Sequence, residues 1–303
     1  MSAPAEGPSP ALRAHAALLG AATIWGSFFP LISVLLRTWD PFANAAGRCV
    51  FGAGVLLVIL LVRHGRAAFG GPLPWRRLLL LSSGGLVVFN IGTSLGVAHA
   101  GPVSAALVAT VNPVCAAFLA WAMQGTVPRR SVFVATAFAV TGGAIVALSK
   151  GGAAGFRGGE ILILVATTAW LWYSIKVSTW MADRPQAQLM ALTYGLAALM
   201  LLALLPLLGA AGVSTMAVDT SPESLGLMLL IAVSSVAMAV NLWLYGVRRL
   251  GVTVGAIYGN LVPVFAVLVA IPLGTAPRPL EIAGGLVILA GVLIVQFGGR
   301  KRP

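Results

Sequence analysis

Apolar residues run along this chain in ten blocks of helical length, separated by short stretches where Gly, Pro and Arg gather. The blocks are Leu12 to Leu36, Phe42 to Val62, Leu78 to Ala98, Val103 to Met123, Val132 to Ser149, Ile161 to Met181, Leu189 to Leu208, Leu225 to Val247, Val252 to Leu273 and Leu280 to Phe297. A hydrocarbon layer roughly 30 Å thick needs about 20 apolar residues per spanning helix. The pattern therefore predicts an all-α polytopic membrane protein with ten transmembrane helices. Lone prolines inside the blocks, Pro30, Pro113 and Pro263, are expected to mark kinks or breaks, because neighbouring helices and polar side chains can satisfy the freed carbonyls.

Composition strengthens this reading. Hydrophobic residues make up 59% of the chain and charged ones 9%, where a soluble domain spends about a quarter on charge. No soluble core absorbs that surplus. The net charge of +12 matters through its placement. With the amino terminus inside, thirteen of the nineteen basic residues fall on the inner side: Arg13, Arg63, Arg66, Arg76, Arg77, Arg129, Arg130, Arg184, Arg248, Arg249, Arg300, Lys301 and Arg302. The outer connections hold Arg37, Lys150, Arg157 and Arg278, together with Asp40, Asp219 and Glu223. The positive-inside rule then places both termini in the cytoplasm, and the basic surplus marks topology, not a nucleic-acid partner. The first block is too long for a signal-peptide core and is expected to be a retained helix. Cys49 and Cys115 lie within spans and read as small apolar residues, with no disulfide or metal pair implied. The expected location is the cell membrane, the inner membrane in a bacterium.

An internal repeat emerges when Gly96 to Ala120 is laid over Gly246 to Ala270: both begin Gly-Val, carry Gly101 or Gly251 five residues on, and share Pro-Val at Pro113 and Pro263. Gly125-Thr126 matches Gly274-Thr275, Gly142 to Val146 matches Gly291 to Val295, and Ala22-Thr23-Ile24-Trp25 resembles Thr167-Thr168-Ala169-Trp170. The expected organisation is an N-terminal tail 1–11, a first repeat 12–149, a linker 150–160, a second repeat 161–298 and a basic tail 299–303. Each repeat would hold five helices, and an odd number makes the second unit enter the bilayer from the opposite face. Inverted repeats of this kind carry substrate sites near the bilayer midplane in transporters.

With those features in place the sequence resembles the drug/metabolite transporter superfamily, in particular its ten-helix EamA branch, which includes the YddG-type amino-acid exporters. The resemblance covers nearly the whole chain and rests on Ile24 to Phe28, Arg48 with its small neighbours, Val103 to Leu119, Trp170 to Tyr173, Asn241 to Gly255 and Leu261 to Phe265. Thr126 and Thr275 stand where the family carries a Glu. The resemblance implies a cavity lined by the first, third, fourth, sixth, eighth and ninth helices, and a secondary transporter or facilitator of small metabolites, amino acids foremost. Family substrates also include sugars, purines and other metabolites, so export of another solute, or of a cationic drug, stays open, as does a receptor or scaffold that transports nothing.

Lining residues should recur every three or four positions on one face. Asn90, Thr93 and Ser94 do so in the third block, and Ser234, Met238, Asn241 and Tyr245 in the eighth. The first block offers Thr23, Ser27 and Pro30, the sixth Thr167, Trp170 and Ser174 with Tyr173 adjacent, and the ninth Thr253 and Asn260 with Tyr258 adjacent. Each mid-span amide, at Asn90, Asn112, Asn241 and Asn260, needs partners among helices, water or solute; interhelical bonding is the competing role. The expected substrate-binding set is therefore Trp25, Ser27, Asn90, Ser94, Asn112, Trp170, Tyr173, Asn241, Tyr245, Tyr258 and Asn260. Arg48, about two turns into the second block, is either a partner for a carboxylate or a structural residue reaching the interface. Trp39, Trp75 and Trp180 sit at block ends and read as interfacial belt residues.

The seven acids, Glu6, Asp40, Glu160, Asp183, Asp219, Glu223 and Glu281, fall in tails, loops or helix ends. No intramembrane acid is placed to relay protons, which points to facilitated diffusion or exchange. Nucleotide-binding loops, metal-ligand clusters and a nucleophile with its base are not recognisable, so neither a cofactor nor an enzymatic activity is expected. The partners expected are a small-molecule solute and lipid; the sequence does not specify an oligomeric state.

Overall fold

The computed structural model describes residues 10–65, 73–149, 157–181 and 184–297. Residues 1–9 of the expected tail 1–11, the tail 299–303 and most of the linker, with Glu6, Arg66, Lys150, Asp183 and the terminal basic cluster, lie outside the described residues, while Pro10 and Ala11 belong to the first helix. Within them every regular element is helical. Six helices are long and apolar enough to cross a membrane: α1 (Pro10–Leu35), α2 (Pro41–His64), α3 (Trp75–Ala100), α7 (Gly159–Trp180), α8 (Gln186–Ala210) and α9 (Pro222–Leu250). Between and after them come α4 (Pro102–Ala109), α5 (Asn112–Gln124), α6 (Arg130–Leu148), α10 (Val252–Gly259), α11 (Val262–Ala270) and α12 (Pro279–Phe297).

The fourth block is therefore not one continuous helix. It divides into α4 and α5, bent by 48° at the break, and the ninth divides in the same way into α10 and α11. Pro113 and Pro263 occupy the first turns of α5 and α11, where a missing N–H costs nothing because those donors have no intrahelical acceptor. Pro30 behaves differently and stays inside an unbroken α1. Upstream of each broken segment the chain turns at a glycine, Gly101 with φ +80 and Gly251 with φ +86, a backbone region that costs side-chain-bearing residues strain.

Two spans carry π-helical segments, Leu81–Val87 in α3 and Val233–Met238 in α9. A π turn takes in extra residues, so positions beyond it are rotated relative to an unbroken α-helix.

Packing joins the two halves of the chain throughout. The most extensive contacts set α6 along α12, α2 along α8, α3 along α7, and α1 along both α11 and the second part of α9. Lipid offers no hydrophobic drive for helix association, so close backbone approach through small residues carries it. A Cβ at Gly142 would lie 2.6 Å from the Gly284 carbonyl oxygen, and one at Gly284 equally close to that of Gly142. The small-residue seam of the last helix thus packs within the molecule, with Gly284 and Gly291 against α6; Gly298 is outside the described residues.

At one end of the bundle Asp40 caps α2 through Phe42 N and Ala43 N, and also accepts bonds from Ser214 Oγ at 2.8 Å and from Thr215 N at 3.0 Å. Its own N–H donates to the Ala217 carbonyl at 2.9 Å. Next to it Trp39 is buried and donates from Nε1 to Ser224 Oγ at 2.7 Å. Trp39 is thus a packed tie between the α1–α2 turn and the α8–α9 segment, not a belt residue; Trp75, 53% exposed, keeps a surface position.

Burial pushes the Asp40 carboxyl up, but the bonds from Ser214, Thr215, Phe42 and Ala43 outweigh it and hold the group below its ordinary value. A carboxylate depressed in the folded state stabilises fully above its unfolded value of about 4, and that stabilisation is lost as pH falls through the native value. Asp40→Asn is expected to lower the detergent-solubilised melting temperature at neutral pH, because the amide can still cap α2 but loses the charge that strengthens the bonds from Ser214 and Thr215. The gap to the unsubstituted chain should shrink below pH 4. A constant gap down to pH 3 would refute the assignment.

Candidate functional site

A cavity of about 540 Å³ lies between the halves, within the roughly 300–1,000 Å³ usual for small-molecule sites. Aromatic side chains are prominent in its wall. Trp25 and Phe28 come from α1, Phe89 from α3, Trp170 from α7, Tyr194 from α8 and Trp243 from α9. The rings pair across helices, Trp25 with Trp243 at 5.3 Å between centroids and Phe89 with Trp170 at 5.2 Å. Hydroxyls and amides interrupt the apolar surface at Thr93, Thr110, Thr167, Ser235, Asn90 and Asn112. Among the described residues one charged side chain, Arg48, reaches this wall and no acid does.

The local fold explains several placements. Asn112 opens α5 at the helix break, where the interruption brings Ala109, Thr110 and Asn112 to the wall together. In α3, downstream of its π segment, Asn90 and Thr93 both face the cavity. Asn90 is buried and donates from Nδ2 to the Leu86 carbonyl one turn back at 2.8 Å.

Arg48 has 6% of its surface exposed, and its Nη1 finds no hydrogen-bond partner. Its guanidinium carbon stands 4.6 Å from the centre of the Phe28 ring and 5.8 Å from that of Phe89, so ring faces carry part of its stabilisation. One turn earlier on the same helix Asn44, fully buried, accepts from Ser94 Oγ at 3.0 Å while its Nδ2 is also unmatched. A buried donor left without an acceptor costs about 1–3 kcal/mol, more when charged. Such costs persist where something else meets the donor.

Of the expected set, the fold brings Trp25, Asn90, Asn112 and Trp170 to the cavity, with Arg48. Ser27, Ser94, Tyr173, Asn241, Tyr245, Tyr258 and Asn260 do not line it, and for most of them a competing bond is visible. Ser27 donates to the Thr23 carbonyl within its own helix. Ser94 turns to Asn44. Tyr173 is buried behind the wall, its hydroxyl 2.8 Å from Thr193 Oγ1 and its ring stacked on Trp170 at 5.6 Å, so it braces a lining residue. Tyr258 pairs its hydroxyl with His15 Nδ1 at 3.0 Å, and Tyr245 lies 3.7 Å beneath the Arg249 guanidinium. Asn260 ends α10 at the break.

The eighth block shows the largest departure. Its expected stripe of Ser234, Met238, Asn241 and Tyr245 is interrupted by the π segment Val233–Met238, and the lining face is instead Ile231, Ala232, Ser235, Val236, Val240 and Trp243. Met238 and Asn241 are exposed on another face, Asn241 donating to the Ala237 carbonyl.

Two helices beyond the implied six contribute: α2 through Arg48, and α8 through Met190 and Tyr194. Sequence reasoning missed Phe28, Phe89, Met190 and Tyr194 as lining residues. Phe28 and Phe89 are inconspicuous among apolar neighbours. Tyr194, a buried phenol four residues after Met190 in an aliphatic helix, was the one available signal.

Comparison with known proteins is consistent over the full length. The chain is 27% identical over 292 residues to the probable terminal-alkyne amino-acid exporter of Streptantibioticus cattleyicolor, covering 94% of this chain and 95% of that one. It is 23% identical to the uncharacterized transporter YyaM of Bacillus subtilis, covering 93% of each. With the uncharacterized inner membrane transporter YedA of Escherichia coli K12 it shares 27% over 92% of this chain and 89% of the other. A solved crystal structure superposes with a TM-score of 0.61 over 93% of this chain and 96% of its own at 19% identity, a likeness of fold alone. The family pattern described as "EamA-like transporter family" matches twice, at residues 12–148 and 157–297, and the chain belongs to that family of multi-pass membrane transporters.

Proposed function

We propose that this chain is a secondary transporter or facilitator that exports small metabolites, amino acids foremost, by alternating access at the cavity between its halves. The observation that carries the reading is that cavity, walled by residues of α1, α2 and α3 and of α7, α8 and α9. The exporter from Streptantibioticus cattleyicolor names amino acids as cargo for that relative, and an aromatic wall dotted with amides suits a solute with an apolar body and a polar head.

In the proposed topology ten spans form two inverted five-helix repeats with both termini in the cytoplasm. The six long helices, the two broken ones and the shorter apolar helices α6 and α12 would supply them. Support comes from recurrence: π segments in α3 and α9, positive-φ glycines before α4 and α10, and ring pairs at Trp25–Trp243 and Phe89–Trp170. Proposed solute contacts are Trp25, Asn90, Asn112 and Trp170 together with Arg48. Ser27, Ser94, Tyr173, Asn241, Tyr245, Tyr258 and Asn260 then hold the surrounding helices.

The test is counterflow in proteoliposomes against amino acids, sugars and nucleosides. Trans-accelerated uptake of one class is expected, and absence of flux for every class would refute the transport reading. Since no acid among the described residues reaches the cavity wall, an imposed pH gradient alone should leave solute uptake at its equilibrium level. Several-fold accumulation driven by that gradient would overturn the facilitator mechanism.

A further inference from the structure

We propose that Arg48 makes the cavity a recognition site for organic carboxylates, so that the preferred solute bears one carboxylate on an aromatic or apolar body and its amine, if present, is dispensable. This rests on the transport reading above and specifies the solute's charged pole.

Three observations converge. The guanidinium is almost fully buried, Nη1 has no acceptor, and the side chain lines the cavity. Of the groups that could balance it, the acids Asp40, Glu160, Asp219, Glu223 and Glu281 all lie away from that wall, with Asp40 engaged at the α2 cap and Glu281 taking Ser104 Oγ and Arg278 N at 2.8 Å each. The space beside Arg48 is bounded by Phe28, Phe89 and Tyr194. A planar carboxylate matches the guanidinium fork with two parallel charge-assisted bonds. One such anion brings the occupied cavity to neutrality, which a sugar or an amine does not.

The amine of an amino acid would find only hydroxyls, amides and ring faces on this wall, none of them anionic. That asymmetry separates a carboxylate site from a zwitterion site built with an acid opposite an arginine.

The purified full chain provides its own reporter, because Trp25, Trp170 and Trp243 line the cavity. Intrinsic fluorescence titrations near neutral pH would use one phenylpropyl body with four head groups: 3-phenylpropanoate, L-phenylalanine, L-phenylalanine amide and 3-phenylpropanamide. The two carboxylates should bind comparably and the two amides about tenfold or more weaker, as expected for losing a charge-assisted bond at a buried site. Arg48→Gln should erase the preference for carboxylate over amide, while Arg48→Lys keeps part of it and guards against a folding defect. Tight binding of L-phenylalanine without 3-phenylpropanoate would overturn the proposal, as would equal binding of the amides, or an acid-to-amide ratio unchanged in Arg48→Gln. Silence of all four probes while sugars or nucleosides show counterflow also overturns it and leaves the transport reading intact. Absence of counterflow for every class removes both.

Discussion

Replacing Trp170 by alanine is expected to cut the initial rate of solute counterflow by about tenfold or more, the equivalent of losing roughly 1.4 kcal/mol of solute contact. Trp170 lines the cavity, meets Phe89 at 5.2 Å and is stacked on Tyr173 at 5.6 Å. Removing the indole takes away a wall of the cavity and frees the Phe89 ring to move. Tyr173 should hold its place, because its hydroxyl remains tied to Thr193, so the global fold survives and the defect falls on flux. Tyr173→Phe makes the useful contrast: it removes that tie without touching the cavity surface and should cost stability while reducing flux less. The measurement is counterflow alongside the detergent melting curve of each variant. Equal flux in Trp170→Ala and the unsubstituted chain would remove Trp170 from the site. On the same logic Asn90→Ala should reduce flux more than Asn241→Ala, because only Asn90 stands at the wall.

Gly26→Val is expected to have the largest effect on the folded state. A Cβ at position 26 would lie 2.5 Å from Phe265 Cβ and 2.6 Å from the Val262 carbonyl oxygen. The second obstacle is backbone and cannot rotate away. Valine adds two methyl groups beyond that Cβ, so α1 and α11 must separate. Overpacking of this kind costs about 1–3 kcal/mol and sometimes more, and the displaced neighbours include Trp25, Phe28 and Val262 of the cavity wall. Yield of monodisperse protein and melting temperature should both fall steeply. Gly26→Ala, with only the Cβ, should be milder but still below the unsubstituted chain. By contrast Gly54, where an added Cβ meets nothing within 4 Å, should accept alanine with little change. A fully stable Gly26→Val variant would show that the α1–α11 contact is not as close as described.

The membrane class and the apolar blocks were legible from residues alone, because partition into hydrocarbon depends on composition over about twenty positions and tolerates any one of them. Glycine and proline were equally readable where they control the backbone, as at Gly101, Gly251, Pro113 and Pro263. Arg48 could be singled out for the same reason: a guanidinium within a span is conspicuous whatever surrounds it. What periodicity could not supply was the face each helix presents. A single π segment at Val233–Met238 moves the wall of α9 onto Ser235, Val240 and Trp243 and leaves Asn241 outside. Nor does a polar side chain announce its partner: Ser94 is taken by Asn44, Tyr173 by Thr193 and Tyr258 by His15. By itself, then, the sequence determined that the chain enters the membrane and where its backbone must bend, since these follow from transfer free energies and local geometry. Only the tertiary structure decided which polar and aromatic groups share the cavity, because that depends on helix rotation and on hydrogen bonds between segments distant along the chain.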